Sequence, residues 1–173
     1  MSGKKHFPLI PGFTLLEIII VVVLLGITFA VTAPLMFAVV DGWRLAVDRN
    51  TMSESANLAM DKMIREMRQI KSKASVITAS GSTFRFIDIN DNDITFNLSS
   101  GHLMRTIGAT SNQLADNVSS LSFTYYNSAG AQIATPQVNP SDTDIKRVVI
   151  DLTFSLGGTQ LALKSGVSPR RLQ

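Results

Sequence analysis

The chain has 173 residues, 45% of them hydrophobic and 17% charged, with a formal net charge of +3 and no cysteine. That length suits one membrane segment plus one small domain, and the lack of cysteine excludes disulfides and thiolate metal sites. Two of the positive charges, Lys4 and Lys5, lie at the extreme amino terminus. The remainder carries only +1, too little for a reading as a nucleic-acid binder.

Lys4, Lys5 and His6 are followed by the apolar stretch Phe7 to Pro11 and by Gly12. Between Phe13 and Val40 the sole ionisable residue is Glu17. Ile18 to Val40 is 23 residues, more than the roughly 20 that a helix needs to cross a hydrocarbon core about 30 Å thick. A carboxylate at the head of such a run costs at least a few kcal/mol in lipid, so Glu17 stands out as functional. Positive residues precede the span, whereas Asp41 and Arg44 cancel behind it. The amino terminus is therefore expected inside and the carboxyl-terminal domain exported. A secretory signal peptide fits poorly, because the apolar run is too long and no small-x-small site ends it. Gly26 and Pro34 interrupt the span. Pro34 cannot donate to the Ala30 carbonyl, which predicts a kink or local unwinding, with Thr28 and Thr32 available to satisfy freed groups.

After Val40 the pattern becomes amphipathic. Met52, Ala56, Ala59, Met63, Met67 and Ile70 recur at helical spacing, which predicts a helix from Asp41 to about Ser72 with that face in the core. Asp48, Arg49, Glu54, Asp61, Lys62, Arg65, Glu66 and Arg68 fall on the other faces, with Asp61 and Arg65 spaced as an i,i+4 ion pair. Asp41-Gly42 reads as a joint. Beyond Ser72 the period is two. Strands are predicted at Thr83–Asp88, Asp93–Leu98, His102–Thr106, Val118–Tyr126, Ile145–Leu156 and Gln160–Val167, with Asn/Asp/Ser/Gly turns between them. Short turns imply one antiparallel sheet. Ala134 to Asp144, with Pro136, Asn139, Pro140 and Ser141, is the main irregular loop.

Asp88, Asn90 and Asn92 stand at the D-x-N-x-N spacing of a calcium loop. The pattern fails further on, where an EF-hand requires glycine and a bidentate acid and this chain has Asp93 and Ser99. An Asx-rich hairpin turn is the better reading, with calcium on those three residues as the alternative. His6 and His102 have no second ligand at metal spacing, Arg170-Arg171 reads as a solvated tail, and no motif for catalysis is present. Neither an enzyme nor a cofactor is expected.

Gly12-Phe13-Thr14-Leu15-Leu16-Glu17, opening directly into a long apolar helix, resembles the cleavage and methylation signal of type IV pilins and pseudopilins. The resemblance implies that a prepilin peptidase cuts after Gly12 and methylates the new amine on Phe13. It also implies that Glu17 acts in subunit assembly and that Gly26 and Pro34 lend the helix flexibility. The implied divisions are a leader (1–12), a transmembrane and polymerisation half of the helix (13–40), and an exported domain (41–173). The expected fold is α+β and pilin-like, a long amino-terminal helix on an antiparallel sheet. Phe7 to Pro11 departs from the family's usual short charged leader. LADNVSSLSFTYYNSAG and then IKRVVIDLTFSL are similar to minor pseudopilins of the J type and to minor pilins, with an aromatic strand, a turn and a hydrophobic strand.

On that resemblance the chain is a processed minor subunit of a type II secretion pseudopilus. The alternatives are a minor type IV pilin for pilus assembly, adhesion or DNA uptake, and a signal-anchored envelope protein that never polymerises. The implied partners are homologous subunits, the prepilin peptidase, an assembly platform in the inner membrane and the membrane itself, with no nucleic acid indicated directly. The implied location is the inner membrane, single-pass, with the carboxyl-terminal domain periplasmic.

Overall fold

One long helix and two antiparallel sheets make up residues 12–137, 140 and 143–172, which the computed structural model describes. The leader up to Pro11, and Asn139 and Ser141 of the irregular loop, lie outside the described residues. The fold class is α+β. Two compact units divide at Arg44/Leu45.

Helix α1 spans Leu15–Met67, 53 residues, and runs unbroken through Gly26, Pro34 and Asp41-Gly42. It stops five residues short of the expected end. The Gln69 and Ile70 amides donate to the carbonyls of Glu66 (2.9 Å) and Met67 (3.4 Å), tightening the last turn. The chain is then captured by the sheet. The Lys71 amide donates to the Ile87 carbonyl, the Ile89 amide donates to the Gln69 carbonyl, and Ile70 bridges to Asp88. Cross-strand hydrogen bonds thus displace helical ones over residues whose spacing was helical.

The first sheet is a meander of β1 (Val76–Ala79), β2 (Thr83–Ile87), β3 (Asp93–Ser99), β4 (His102–Ile107) and β5 (Thr110–Ala115), in that spatial order. The second contains β6 (Val118–Tyr126), β7 (Gln132–Ile133), β8 (Arg147–Leu156) and β9 (Thr159–Val167), ordered β7-β6-β8-β9. Two sheets replace the single one expected, and β1, β5 and β7 were not anticipated. β5 begins with the exposed run Thr110-Ser111-Asn112-Gln113, so it has no apolar alternation to read. Gly157 and Gly158 turn β8 into β9 with φ of 56° and 80°, a conformation that favours glycine and suits a two-residue hairpin.

The expected helical face is buried throughout. Met52, Ala56, Ala59, Met63, Met67 and Ile70 share one core with Phe84, Phe86, Phe96, Leu121, Phe123, Tyr125, Ile150, Leu152 and Phe154. Phe84 joins the sheets, its ring centre lying 5.3 Å from Phe86, 5.8 Å from Phe123 and 5.7 Å from Tyr125. The buried Tyr125 hydroxyl donates to the Ser80 carbonyl at 2.8 Å, and burial pushes its phenol well above the ordinary range.

Glu66 corrects the sequence reading. Placed among the outward charges, it is instead 6% exposed. Its carboxylate accepts from Arg105 Nε of β4 at 2.7 Å and pairs with Lys62 Nζ at 3.2 Å. A buried carboxylate is tolerable only when so paired. The signal was present, since Glu66 follows Met63 by three and precedes Ile70 by four, on the buried stripe itself. Asp61 and Arg65, by contrast, do not form the expected pair.

Candidate functional site

Gly12, Phe13 and Thr14 precede α1, and Phe13 is 78% exposed. Thr14 starts the helix. The Glu17 amide donates to the Thr14 carbonyl at 3.0 Å and to Thr14 Oγ1 at 3.3 Å. Thr14-Leu15-Leu16-Glu17 is the T-x-x-E spacing of a capping box, a signal the sequence reading passed over. The side chain of the threonine satisfies an amide that would otherwise lack a partner in the first turn.

Glu17 lies in that first turn, where the helix dipole favours negative charge. Its side chain makes no hydrogen bond or ion pair with any of the described residues. Phe13, Glu17 and Val21 recur every four residues, and with Ile18 and Val22 they line an open apolar groove. The structure thus brings Phe13 and Glu17 to one face of the helix start, with Gly12 one residue upstream. The groove is a place where a neighbouring apolar helix can lie against an acid.

Behind Glu17 the helix is bare. Its most apolar 18-residue window has a mean hydropathy of 2.7 and none of it is buried, so α1 is long and apolar enough to cross a membrane. Gly26 opens to free space, with nothing within 4 Å of where a side chain would begin. Thr28 Oγ1 donates to the Leu24 carbonyl (2.8 Å) and Thr32 Oγ1 to the Thr28 carbonyl (2.9 Å). Neither hydroxyl reaches the Ala30 carbonyl that Pro34 leaves without its usual donor, so that part of the expectation is corrected. Trp43, the one tryptophan in the chain, is 72% exposed just past the span. The sequence reading missed it; aromatic residues of this kind are enriched where membrane helices meet water.

Asp88, Asn90 and Asn92 do come together, as a turn between β2 and β3. Asp88 Oδ1 accepts the Asn90 and Asn92 amides at 2.8 and 2.9 Å, and Oδ2 accepts Asn92 Nδ2 at 3.0 Å. Burial pushes the Asp88 carboxyl up, but these donors outweigh it and hold the group below the usual carboxylate range. Asp91 takes φ of 62° and pairs with Lys71. Asp93 is held by Arg85 through Nε (2.9 Å) and Nη2 (2.5 Å), which lowers its carboxyl. Each acid of the turn therefore already faces a donor or cation. No group of three or more His, Cys, Asp or Glu side chains suited to a metal occurs among the described residues. His102 Nδ1 lies 2.8 Å from Asp116 Oδ1 at the exposed end of β4.

No protein-family model matches this chain, and no curated protein matches it either.

Proposed function

We propose that this chain is a membrane-inserted filament subunit of the type IV pilin and pseudopilin kind, made active for assembly by cleavage between Gly12 and Phe13. The observation that carries the reading is the hexapeptide Gly12 to Glu17 opening a bare apolar helix, with the Glu17 carboxylate unpartnered among the described residues. Cleavage creates a cationic amine on Phe13 that the precursor lacks. When parallel helices pack with a stagger, that amine on one subunit meets Glu17 on the next. Opposite charges about 4 Å apart attract by about 4 kcal/mol at an effective dielectric of about 20. The pairing also offsets the cost of holding the acid near lipid. Processing and polymerisation are thereby coupled through one ion pair.

The work is mechanical. Apolar helices build the shaft, and the two sheets present surfaces to partners outside the membrane. The J-type likeness of the aromatic strand β6 and the hydrophobic strand β8 favours a minor subunit of a type II secretion pseudopilus. Gly26 and Pro34 are proposed to let the helix yield as subunits leave the bilayer. Mass spectrometry of the protein from its native membrane tests the reading. The expected mature terminus is methylated Phe13, and Glu17→Ala is expected to insert and be cut normally yet fail to join filaments. A chain that keeps Met1, or a Glu17→Ala chain that assembles normally, overturns it.

A further inference from the structure

Exposed sheet edges invite pairing with other chains, and folded proteins blunt them with bulges, short strands or covering loops. Three of the four edges here are treated in that way. The Gln137 amide donates to the Ala79 carbonyl at 3.0 Å and closes the end of β1, β7 has only two residues, and β5 is bent by a bulge opposite Leu103 and Met104. Strand β9 is the exception. Its nine residues, Thr159–Val167, pair with β8 in unbroken register and contain no proline. They make no backbone hydrogen bond on the other flank among the described residues. Leu161 and Leu163 are only half-buried. Their cross-strand partners Phe154 and Leu152 are fully buried, because β8 has a strand on each flank. Lys164 stands on the opposite face, its side chain 70% exposed, and pairs with Asp151 of β8 at 3.1 Å. A lysine blunts an edge by its charge, but this charge is already answered from the closed side.

We infer that β9 is a docking edge for an extended segment of another polypeptide, which adds a fifth strand to the second sheet. In this mode main-chain hydrogen bonds supply affinity and alternate side chains select the partner. A strand lying about 4.8 Å beyond β9 covers Leu161 and Leu163 with apolar residues two positions apart. Its other face sets a residue beside Lys164, where an acid matches the charge. In an antiparallel segment the order is then acid, apolar, any residue, apolar. The chain itself shows that this order fits, since Asp151, Leu152, Thr153 and Phe154 of β8 face Lys164, Leu163, Ala162 and Leu161 from the closed flank. The partner repeats on the open flank what β8 does on the closed one. A second copy of this chain is the poorer occupant, because neither β9 nor β5 contains an acid. The inference concerns the second unit alone and holds whether or not the chain is cut after Gly12.

The test uses the full chain in detergent and a synthetic peptide with the sequence of residues 149–155, VIDLTFS, carrying neutral polyethylene glycol tails for solubility. At about 1 mM peptide, amide exchange over Thr159 to Val167 is expected to slow about tenfold, with no change over Thr110 to Ala115. A peptide with lysine in place of its acid is expected to bind about tenfold more weakly. Lys164→Glu in the chain is expected to reverse that preference. Lys164→Gln removes the charge without setting an acid beside Asp151, and is expected to bind both peptides alike. No protection of β9 at that concentration, equal binding of a scrambled peptide, or indifference to the charge exchange each overturns the inference. Protection of β9 that grows with chain concentration in the absence of peptide marks a second copy as the occupant, and overturns it as well.

Discussion

The two halves of α1 share one backbone geometry and differ in which of their faces are apolar. From Ile18 to Val40 the helix is apolar on every side and exposed on every side. From Met52 to Met67 it is apolar on one stripe only, and that stripe is buried against aromatic strands. A helix uniformly apolar around its circumference needs lipid or other helices to cover it. One with a single apolar stripe is completed by its own sheet. The comparison explains why the first half has nothing to define its packing within a lone chain, and why the second is held by a core.

Substitutions in the second half are the strongest way to sharpen that contrast. Phe84→Ala empties the junction of helix and both sheets and is expected to cost about 3–5 kcal/mol. Thermal unfolding of the full chain in detergent measures it; Leu24→Ala in the bare half is expected to leave the same transition in place. Next comes Glu66→Ala, which strands Arg105 with its side chain 17% exposed and is expected to cost about 3 kcal/mol. The paired change of Glu66 and Arg105 to methionine is expected to recover most of that loss. A recovery that fails would show that the ion pair itself, beyond the avoided burial of a lone charge, holds α1 to β4.

Smaller effects follow at the helix start. Thr14→Ala removes the side-chain cap and is expected to cost about 1 kcal/mol of local helix stability. Faster amide exchange at Leu15 to Ile18 reports it, with no change in the transition of the sheet domain. Asp144 supplies a pH-dependent effect confined to the second unit. Its carboxylate accepts the Ser128 amide at 3.1 Å and lies 3.3 Å from Lys73 Nζ, and these contacts lower its pKa to about 2. The folded value lies below the ordinary value of about 3.9. Its contribution is therefore present above that ordinary value and fades as pH falls from about 4 to about 2. Asp144→Asn is expected to lower the melting temperature slightly at pH 7 and to remove that part of the acid sensitivity. A melting profile between pH 2 and 7 checks both.

Much of this organisation was legible without coordinates. The apolar run, the acid at its head and the methionine stripe are local patterns, and patterns of period two marked β2, β3, β4, β6, β8 and β9. The end of α1 was not legible, because residues 68–72 keep helical spacing while their backbone is claimed by β2. β5 was invisible for the opposite reason, since its polar residues hold a strand by pairing with β4 and not by burial. Thr14 as a cap and Glu66 as a buried acid both had signals in their spacing that were read for something else.

The sequence by itself determined where wholly apolar chain gives way to amphipathic chain, because that boundary is a matter of local composition alone. It also determined which residue carries the stray charge at that border. Only tertiary structure decided that the strands divide into two sheets, that Phe84 and Tyr125 stitch them together, and that Glu66 points inward to Arg105. Those outcomes depend on partners dozens of residues away, and no local periodicity encodes which distant group will answer a buried charge.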